Sequence, residues 1–401
     1  MTKQRADNIL FLMFLILAIF GLVMITSIGV PKSIELSAGD ILYPNCSDPK
    51  VDCYLLFKKH LLHLILGGIA LWLASKIPYR FWKKISVVLF GAMILTLVLV
   101  LIAGKANNTF ARSWFTFFNT SFQPIEFAKF ALILYLAHWL ERKNTEVETF
   151  QYGFLPFCIV MGAMVLPIIA QPDLGGALVV VAISVAMFFA AGARIRHLLM
   201  GGLVAVLLSG IIIANVSHVR ERFQAFVATD KNCHEDYCWQ SEQANIAVGS
   251  GGFWGKGLTQ GVQKSYWLPQ ASDDFIFAAS AEELGFVRIL LLILVYGIIA
   301  YRGLKIAANA PNRFSMLTAI GITVWITIQA FINIAVNLAL MPVTGITLPL
   351  VSYGGSSILS IMIAAGILLQ ISKHAPDYAP GSVRRGLRRA HYAERGSYSR
   401  A

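Results

Sequence analysis

Long apolar runs separated by short charged ones dominate the chain. Residues 9–30 contain no ionisable group. A bilayer core takes about 20 apolar residues per helix, so this run alone is long enough to span. It is too long for a signal-peptide core and lacks a small-x-small cleavage site, so it is expected to stay as a first helix. The same pattern recurs and predicts ten spans, at 8–30, 58–75, 85–103, 122–141, 154–170, 174–192, 198–216, 275–300, 314–336 and 355–372. The expected fold is an all-α integral membrane protein. Its bundle of ten transmembrane helices carries a large extracytoplasmic loop, 217–274, between helices 7 and 8. Residues 1–374 form the membrane domain, and 375–401 a basic, disordered cytoplasmic tail near anionic lipid.

Composition agrees with this pattern. The chain is 57% hydrophobic and 13% charged, whereas a soluble domain is about a quarter charged. The net charge of +12 would suggest nucleic acid on a soluble protein. Here the positives fall between apolar runs and in the tail. With the N-terminus inside, 20 of the 33 Lys and Arg residues lie on the cytoplasmic side, so both termini are expected to be cytoplasmic. A nucleic-acid role is set aside.

Three segments on the other side exceed what a turn requires: 31–57, 217–274 and 337–354. Four of the five cysteines, Cys46, Cys53, Cys233 and Cys238, fall in them, which fits an oxidising compartment. Two local bridges, Cys46–Cys53 and Cys233–Cys238, are the simplest of the three connectivities; four free thiols are the alternative. Cys233, His234 and Cys238 supply only three ligands, too few for a convincing metal site. Cys158 reads as a small buried hydrophobe.

Candidate chemistry concentrates at the same side. Val248-Gly249-Ser250-Gly251-Gly252, with Gly255, Lys256 and Gly257, reads either as a flexible surface loop or as a cradle for phosphate. Asp273 and Asp274 stand at the mouth of the eighth span. Carboxylates at a membrane boundary are costly and often functional, but an acid there also suits a helix N-terminus. Glu282 and Glu283 follow two turns deeper. Glu126 and Lys129 share one helix face and can pair; alternatively Lys129 snorkels to the interface or offers charge to an anionic ligand. Residues 341–357 hold two prolines and three glycines among apolar residues, a shaped, non-helical surface lying on or in the interface.

Several stretches together carry a resemblance. They are Gln123-Pro124 with Glu126 and Lys129, Gln171-Pro172-Asp173-Leu174-Gly175, Gly249-Ser250-Gly251-Gly252, Asp274-Phe275-Ile276-Phe277, Glu282-Glu283-Leu284-Gly285, and Pro349 through Ser357. In order and spacing the chain resembles the SEDS family, the bacterial proteins of shape, elongation, division and sporulation, over nearly its full length. Val262-Gln263-Lys264 and Ser352-Tyr353-Gly354-Gly355-Ser356-Ser357 make it most similar to the division members, next to the elongation members.

The resemblance implies a peptidoglycan glycosyltransferase acting on lipid II, a disaccharide-peptide on undecaprenyl pyrophosphate. The family's essential aspartate matches Asp274, as general base toward the acceptor sugar's 4-hydroxyl. Lys129, Arg112, Lys256 and Lys264 are the cations expected to face the pyrophosphate. Glu126, Asp273, Glu283, Ser352 and Ser356 complete the substrate-binding candidates. The sequence shows no protein metal site, so no protein-bound cofactor is expected, and a divalent cation, Mg or Mn, is expected only with the substrate's pyrophosphate. The resemblance also implies a class B penicillin-binding transpeptidase as partner, met through spans eight and nine and the large loop, alongside other division proteins at the septum of the bacterial inner membrane. The chain departs from the family in three places. Gln270, Ser272 and Asp273 stand where Glu-x-His-Thr usually precedes the aspartate, so either aspartate could titrate. Ser113 rather than Arg precedes Trp114. Ile125 replaces a serine or alanine. The competing readings are an elongation polymerase, a flippase or transporter for the lipid-linked precursor, and a non-catalytic division scaffold.

Overall fold

The computed structural model describes residues 6–39, 41, 44–104, 113–117, 120–227 and 235–374. Arg112, Cys233, His234 and the tail 375–401 lie outside the described residues. Helices occupy each of the ten expected segments: α1 (Asn8–Ile28), α3 (Leu55–Ala74), α4 (Tyr79–Ala103), α5 (Pro124–Lys143), α6 (Leu155–Ala170), α7 (Leu174–Ala190), α8 (Ile195–Asn215), α11 (Ile276–Ala308), α12 (Arg313–Asn337) and α13 (Gly355–Ser372). Among the described residues, eight helices are long and apolar enough to cross a membrane. Two of the ten segments fall short of that standard. Helix α5 carries Glu126, Lys129, Glu141, Arg142 and Lys143, and α7 has only 17 residues.

Lipid rather than water surrounds the bundle. Helix α1 buries Leu10, Phe14, Leu17, Met24, Ile25 and Ile28, yet its opposite stripe of Ile9, Leu12, Ile16, Ile19 and Val23 is exposed and just as apolar. A water-facing helix would put polar residues there. In lipid a helix satisfies its own backbone and needs no polar face. The chain is accordingly a multi-pass membrane protein. Helices α5, α12 and α13 form the centre, buried along most of their length. Helix α8 stands at the margin, with Leu199, Leu203, Val206, Leu207 and Ile211 all exposed.

One end of the bundle is tied by Asp7. Its Oδ1 accepts from Leu10 N at 3.0 Å as the cap of α1 and from Arg302 Nη2 at 2.9 Å. Its own N–H donates to Ser372 Oγ at 3.0 Å. This gathers α1, α11 and α13. The N-terminal end of α11 therefore lies toward the opposite end of the bundle, at most about 40 Å along the helix from Arg302.

The long segments differ from expectation. Residues 31–57 hold α2 (Val30–Ala38), and Cys46 and Cys53 are disulfide-bonded with Cα atoms 5.8 Å apart, as expected. Cys238 is also disulfide-bonded. The segment 217–274 contains two further helices, α9 (Ser217–Val227) and α10 (Glu235–Gly251). Gly249, Ser250 and Gly251 end α10 instead of forming a loop. A hairpin pairs β1 (Phe115–Phe117) antiparallel with β2 (Thr120–Phe122). Residues Leu348, Leu350, Val351 and Ser352 are buried, so the segment after α12 enters the core and does not lie flat on an interface.

Candidate active site

The segment before α11 is held almost entirely through its backbone. The Asp273 N–H donates to Gln270 O at 3.0 Å and the Phe275 N–H to the same oxygen at 3.3 Å. Ser352 Oγ donates to the Asp273 carbonyl at 2.5 Å and accepts from Leu348 N at 2.8 Å. Tyr353 N donates to Ser272 O at 3.0 Å. From α12, Asn333 Nδ2 (2.7 Å) and Asn337 Nδ2 (2.9 Å) both donate to the Asp274 carbonyl. Asn337 Oδ1 accepts from Ala278 N at 2.9 Å, taking up one of the amides that the first turn of α11 leaves unpaired. Buried Phe275 anchors the end of the segment.

With the backbone committed, the two adjacent carboxylates differ. Asp273 forms an ion pair with Lys32 of α2, which also donates to Gln270 Oε1 at 2.9 Å; Ser272 Oγ donates to Asp273 Oδ1 at 3.2 Å. The half-buried Asp274 carboxylate has no hydrogen bond or ion pair among the described residues. Gly345, at φ 73°, closes over it: a Cβ there would sit 3.7 Å from Oδ2. Burial, and secondarily the Asp273 charge, push the Asp274 carboxyl up to about 7, against Lys32 and Arg222, which pull it down. Arg222 lies on α9. Asp173, the N-cap of α7 with Oδ1 accepting from Gly176 N at 2.8 Å, also feels Arg222, and with it Lys129 and Glu126. Burial raises its pKa and the Gly176 hydrogen bond opposes the rise. Asp274, Asp273, Asp173, Lys32 and Arg222 thus share one electrostatic neighbourhood drawn from distant parts of the chain.

Below this segment α11 breaks. Gly285 has φ 77° and ψ 172°, a conformation closed to side chains with a Cβ. The carbonyls freed by the break are satisfied by the strap after α10: Lys256 N donates to Glu282 O at 3.0 Å and Gly257 N to Glu283 O at 2.9 Å. Gly255, at φ 82°, lies where a Cβ would be 2.2 Å from Glu283 O. The glycines expected to form a loose loop or a phosphate cradle instead permit this backbone-to-backbone contact.

The side chains at the break are equally occupied. Fully buried Glu282 accepts from Lys256 Nζ at 2.7 Å, and from Val262 N and Gln263 N at 3.0 Å each. Fully buried Glu283 accepts from Lys264 Nζ at 2.6 Å and from Ser27 Oγ at 2.7 and 2.8 Å. Lys256, Lys264 and Glu283, expected at substrate, brace the break.

Lys129 turns inward instead of snorkelling. Its Nζ donates to Glu126 Oε1 and to Gln329 Oε1, each at 2.8 Å, and lies 5.2 Å from the centre of the Trp325 ring. Glu126 Oε2 is buried without a partner among the described residues. Ser356 Oγ accepts from Gln123 N at 3.0 Å, at the start of α5. Among the described residues no group of three or more His, Cys, Asp or Glu side chains is arranged to hold a metal.

Sequence reasoning missed Lys32 and Arg222, and did not assign Asn333, Asn337 or Asp173 to the site. Lys32 lies 241 positions from Asp273, in a segment with no motif. Asp173 did stand in a matching stretch, which was a usable signal.

The chain is similar to known proteins over nearly its whole length. A family model for FtsW, RodA and SpoVE, described as cell cycle protein, matches residues 7–377. A probable peptidoglycan glycosyltransferase FtsW from Trichlorobacter lovleyi is 35% identical over 367 residues, 91% of this chain and 93% of that one. Stage V sporulation protein E of Bacillus subtilis is 36% identical over 380 residues, 93% of this chain and 98% of that one. Among solved structures, a chain of a peptidoglycan synthase complex is similar with TM-score 0.74 at 27% identity, covering 92% of this chain and 98% of that one. The rod shape determining protein RodA of Thermus thermophilus gives 0.66 at 27% identity, covering 93% and 98%.

Proposed function

The chain belongs to the FtsW, RodA and SpoVE family, and on that premise we propose that it is a peptidoglycan glycosyltransferase that polymerises lipid II, with Asp274 as general base. One observation carries the assignment of the base. Of two adjacent aspartates, only Asp274 has a carboxylate left without a partner among the described residues, on a backbone clamped by Asn333, Asn337 and Ser352. A base needs a free lone pair at a fixed position and a pKa near the working pH; a value of about 7 meets the second requirement.

In the proposed step the acceptor sugar's 4-hydroxyl gives its proton to Asp274. Its oxygen bonds to C1 of the donor sugar, and the C1–O bond to phosphate breaks with the electron pair leaving on undecaprenyl pyrophosphate. Charge builds on that leaving group, so cations nearby stabilise the transition state. Among the described residues Arg222 is the cation whose charge acts on both Asp274 and Asp173. Lys129 acts behind it through the Glu126 pair, and Arg112 remains a candidate from outside the described residues. Lys256 and Lys264 are assigned to supporting α11.

The ten helices are proposed to span the bacterial inner membrane with both termini cytoplasmic and Asp274 on the far side, where a class B penicillin-binding transpeptidase would crosslink the product. We place the protein in division, on its similarity to proteins named FtsW; a fluorescent fusion spread along the lateral wall and absent from midcell would overturn that placement. The general base is tested with the Asp274→Asn chain, purified folded and given lipid II. Loss of glycan polymer supports it, and undiminished polymer sinks it. In the parent, polymerisation rises about tenfold per pH unit below about 7 and levels above, as the carboxyl loses its proton.

A further inference from the structure

The Asp273–Asp274 pair poses a problem that the general-base reading leaves open. Adjacent carboxylates repel, and a proton shared between them could sit on either. If it moved freely, neither group would be a defined base. The geometry breaks this symmetry with one residue from far away in the chain. Lys32 Nζ reaches the Asp273 carboxylate and the Gln270 side chain; among the described residues it makes no hydrogen bond or ion pair with Asp274, though its charge acts on it.

The placement of Lys32 is built, not incidental. Helix α2 begins with Val30 and Pro31, suited to the first turn of a helix. It is fastened to the start of α3 by fully buried Ser33, whose Oγ accepts from Leu56 N at 3.1 Å, and by Ser37, whose Oγ accepts from Asp52 N at 2.9 Å. The Cys46–Cys53 disulfide closes the segment between the two helices. Lys32 is thus delivered from a braced helix. Its side chain is 30% exposed and that of Asp273 19%, so the pair is partly screened but not fully solvated.

We infer that Lys32 is a positioning residue that assigns the roles of the two aspartates: by engaging the Asp273 carboxylate it occupies that group and leaves Asp274 as the open proton acceptor. The inference rests on the glycosyltransferase reading for its consequence, but the partition itself is a property of the unliganded protein. The charged groups facing Asp274 are Asp273 on its own segment, Lys32 from α2, Arg222 from α9, and Asp173 from the α6–α7 turn. Of these only Lys32 is ion-paired to the neighbouring aspartate. Tyr353, stacked near His60 and tilted against His63, is pushed up to about 12, chiefly by burial and then by the Asp273 charge, so it is neutral throughout the working range.

The test uses the full chain in proteoliposomes, with two readouts. The first is glycan polymerisation from lipid II across pH. The second needs no turnover: the infrared C=O stretch of protonated carboxyl groups followed through the same pH range, with the Asp274→Asn chain identifying the Asp274 band. Lys32→Met should move the acid limb and the band midpoint upward by ~1 pH unit, because a cation is removed. Asp273→Asn should move both downward, because an anion is removed. The double variant, losing one charge of each sign, should return close to the parent, and Lys32→Arg should restore it. If Lys32→Met lowers the rate equally at every pH with the limb and band unmoved, Lys32 is only a staple and the inference is overturned. If the Asp274→Asn chain polymerises like the parent, the general-base reading fails instead. The band midpoint then still decides, alone, whether Lys32 partitions the pair.

Discussion

The two lysines of the strap should differ sharply in what their loss costs. Lys264→Met removes the charged partner of Glu283, a fully buried carboxylate left, among the described residues, only the Ser27 hydroxyl. Lys264 itself is 8% exposed, so water does not take its place. Breaking a buried pair on one side costs about 3–5 kcal/mol. Lys256→Met acts on Glu282, equally buried, but that carboxylate keeps two backbone donors, Val262 N and Gln263 N. Lys256 is also 34% exposed, and screening lowers what such a pair contributes, to about 1 kcal/mol. The expected difference is therefore about 2–4 kcal/mol. Thermal unfolding of the two variants in one detergent, followed by intrinsic fluorescence at a fixed scan rate, checks the order. Replacing both members of the deeper pair, Lys264→Met with Glu283→Gln, should recover part of the loss, since no uncompensated charge remains. Equal midpoints for the two single variants, or a larger loss for Lys256→Met, would refute the reasoning that backbone donors make the difference.

Two further expectations follow from the same framework. Asn337→Ala deletes a donor to the Asp274 carbonyl and the acceptor of Ala278 N; it should cost about 1–3 kcal/mol in thermal unfolding and lower polymerisation further than the stability loss explains, and an unchanged rate would remove Asn337 from the positioning role. Gly285→Ala places a Cβ 2.2 Å from Gly255 N at φ 77°, so folded yield on size-exclusion chromatography should collapse, whereas Gly297→Ala, with open space around it, should leave the yield unchanged.

The helices are legible in the sequence alone. Uncharged runs such as 9–30 fill a bilayer, and lipid forces their backbones to satisfy themselves. Local rules also reach the Cys46–Cys53 bridge, which closes within one short segment. Elsewhere local rules fall short, and the cause is the same each time. The glycines of 249–257 could be a flexible loop, a ligand cradle or a close-packed strap, and only the position of the α11 break distinguishes them. Lys129 could snorkel or pair inward, and the decision lies with Gln329 and Trp325, about 200 residues away. Lys256 and Lys264 look like pyrophosphate contacts because nothing nearby in sequence claims them; Glu282 and Glu283 do so in space.

By itself the sequence determined the membrane class, the helical segments, and the family stretch that begins at Asp274. These depend on runs of neighbouring residues, and a run carries its own periodicity and hydrophobicity. Tertiary structure alone decided which of two adjacent aspartates is paired and which is left open. Among the described residues that pairing depends on Lys32 arriving from α2, while Asn333 and Asn337 from α12 hold the Asp274 backbone and Arg222 from α9 acts on its charge. A charge-charge or hydrogen-bond energy is set by separation in space, and separation along the chain does not encode it.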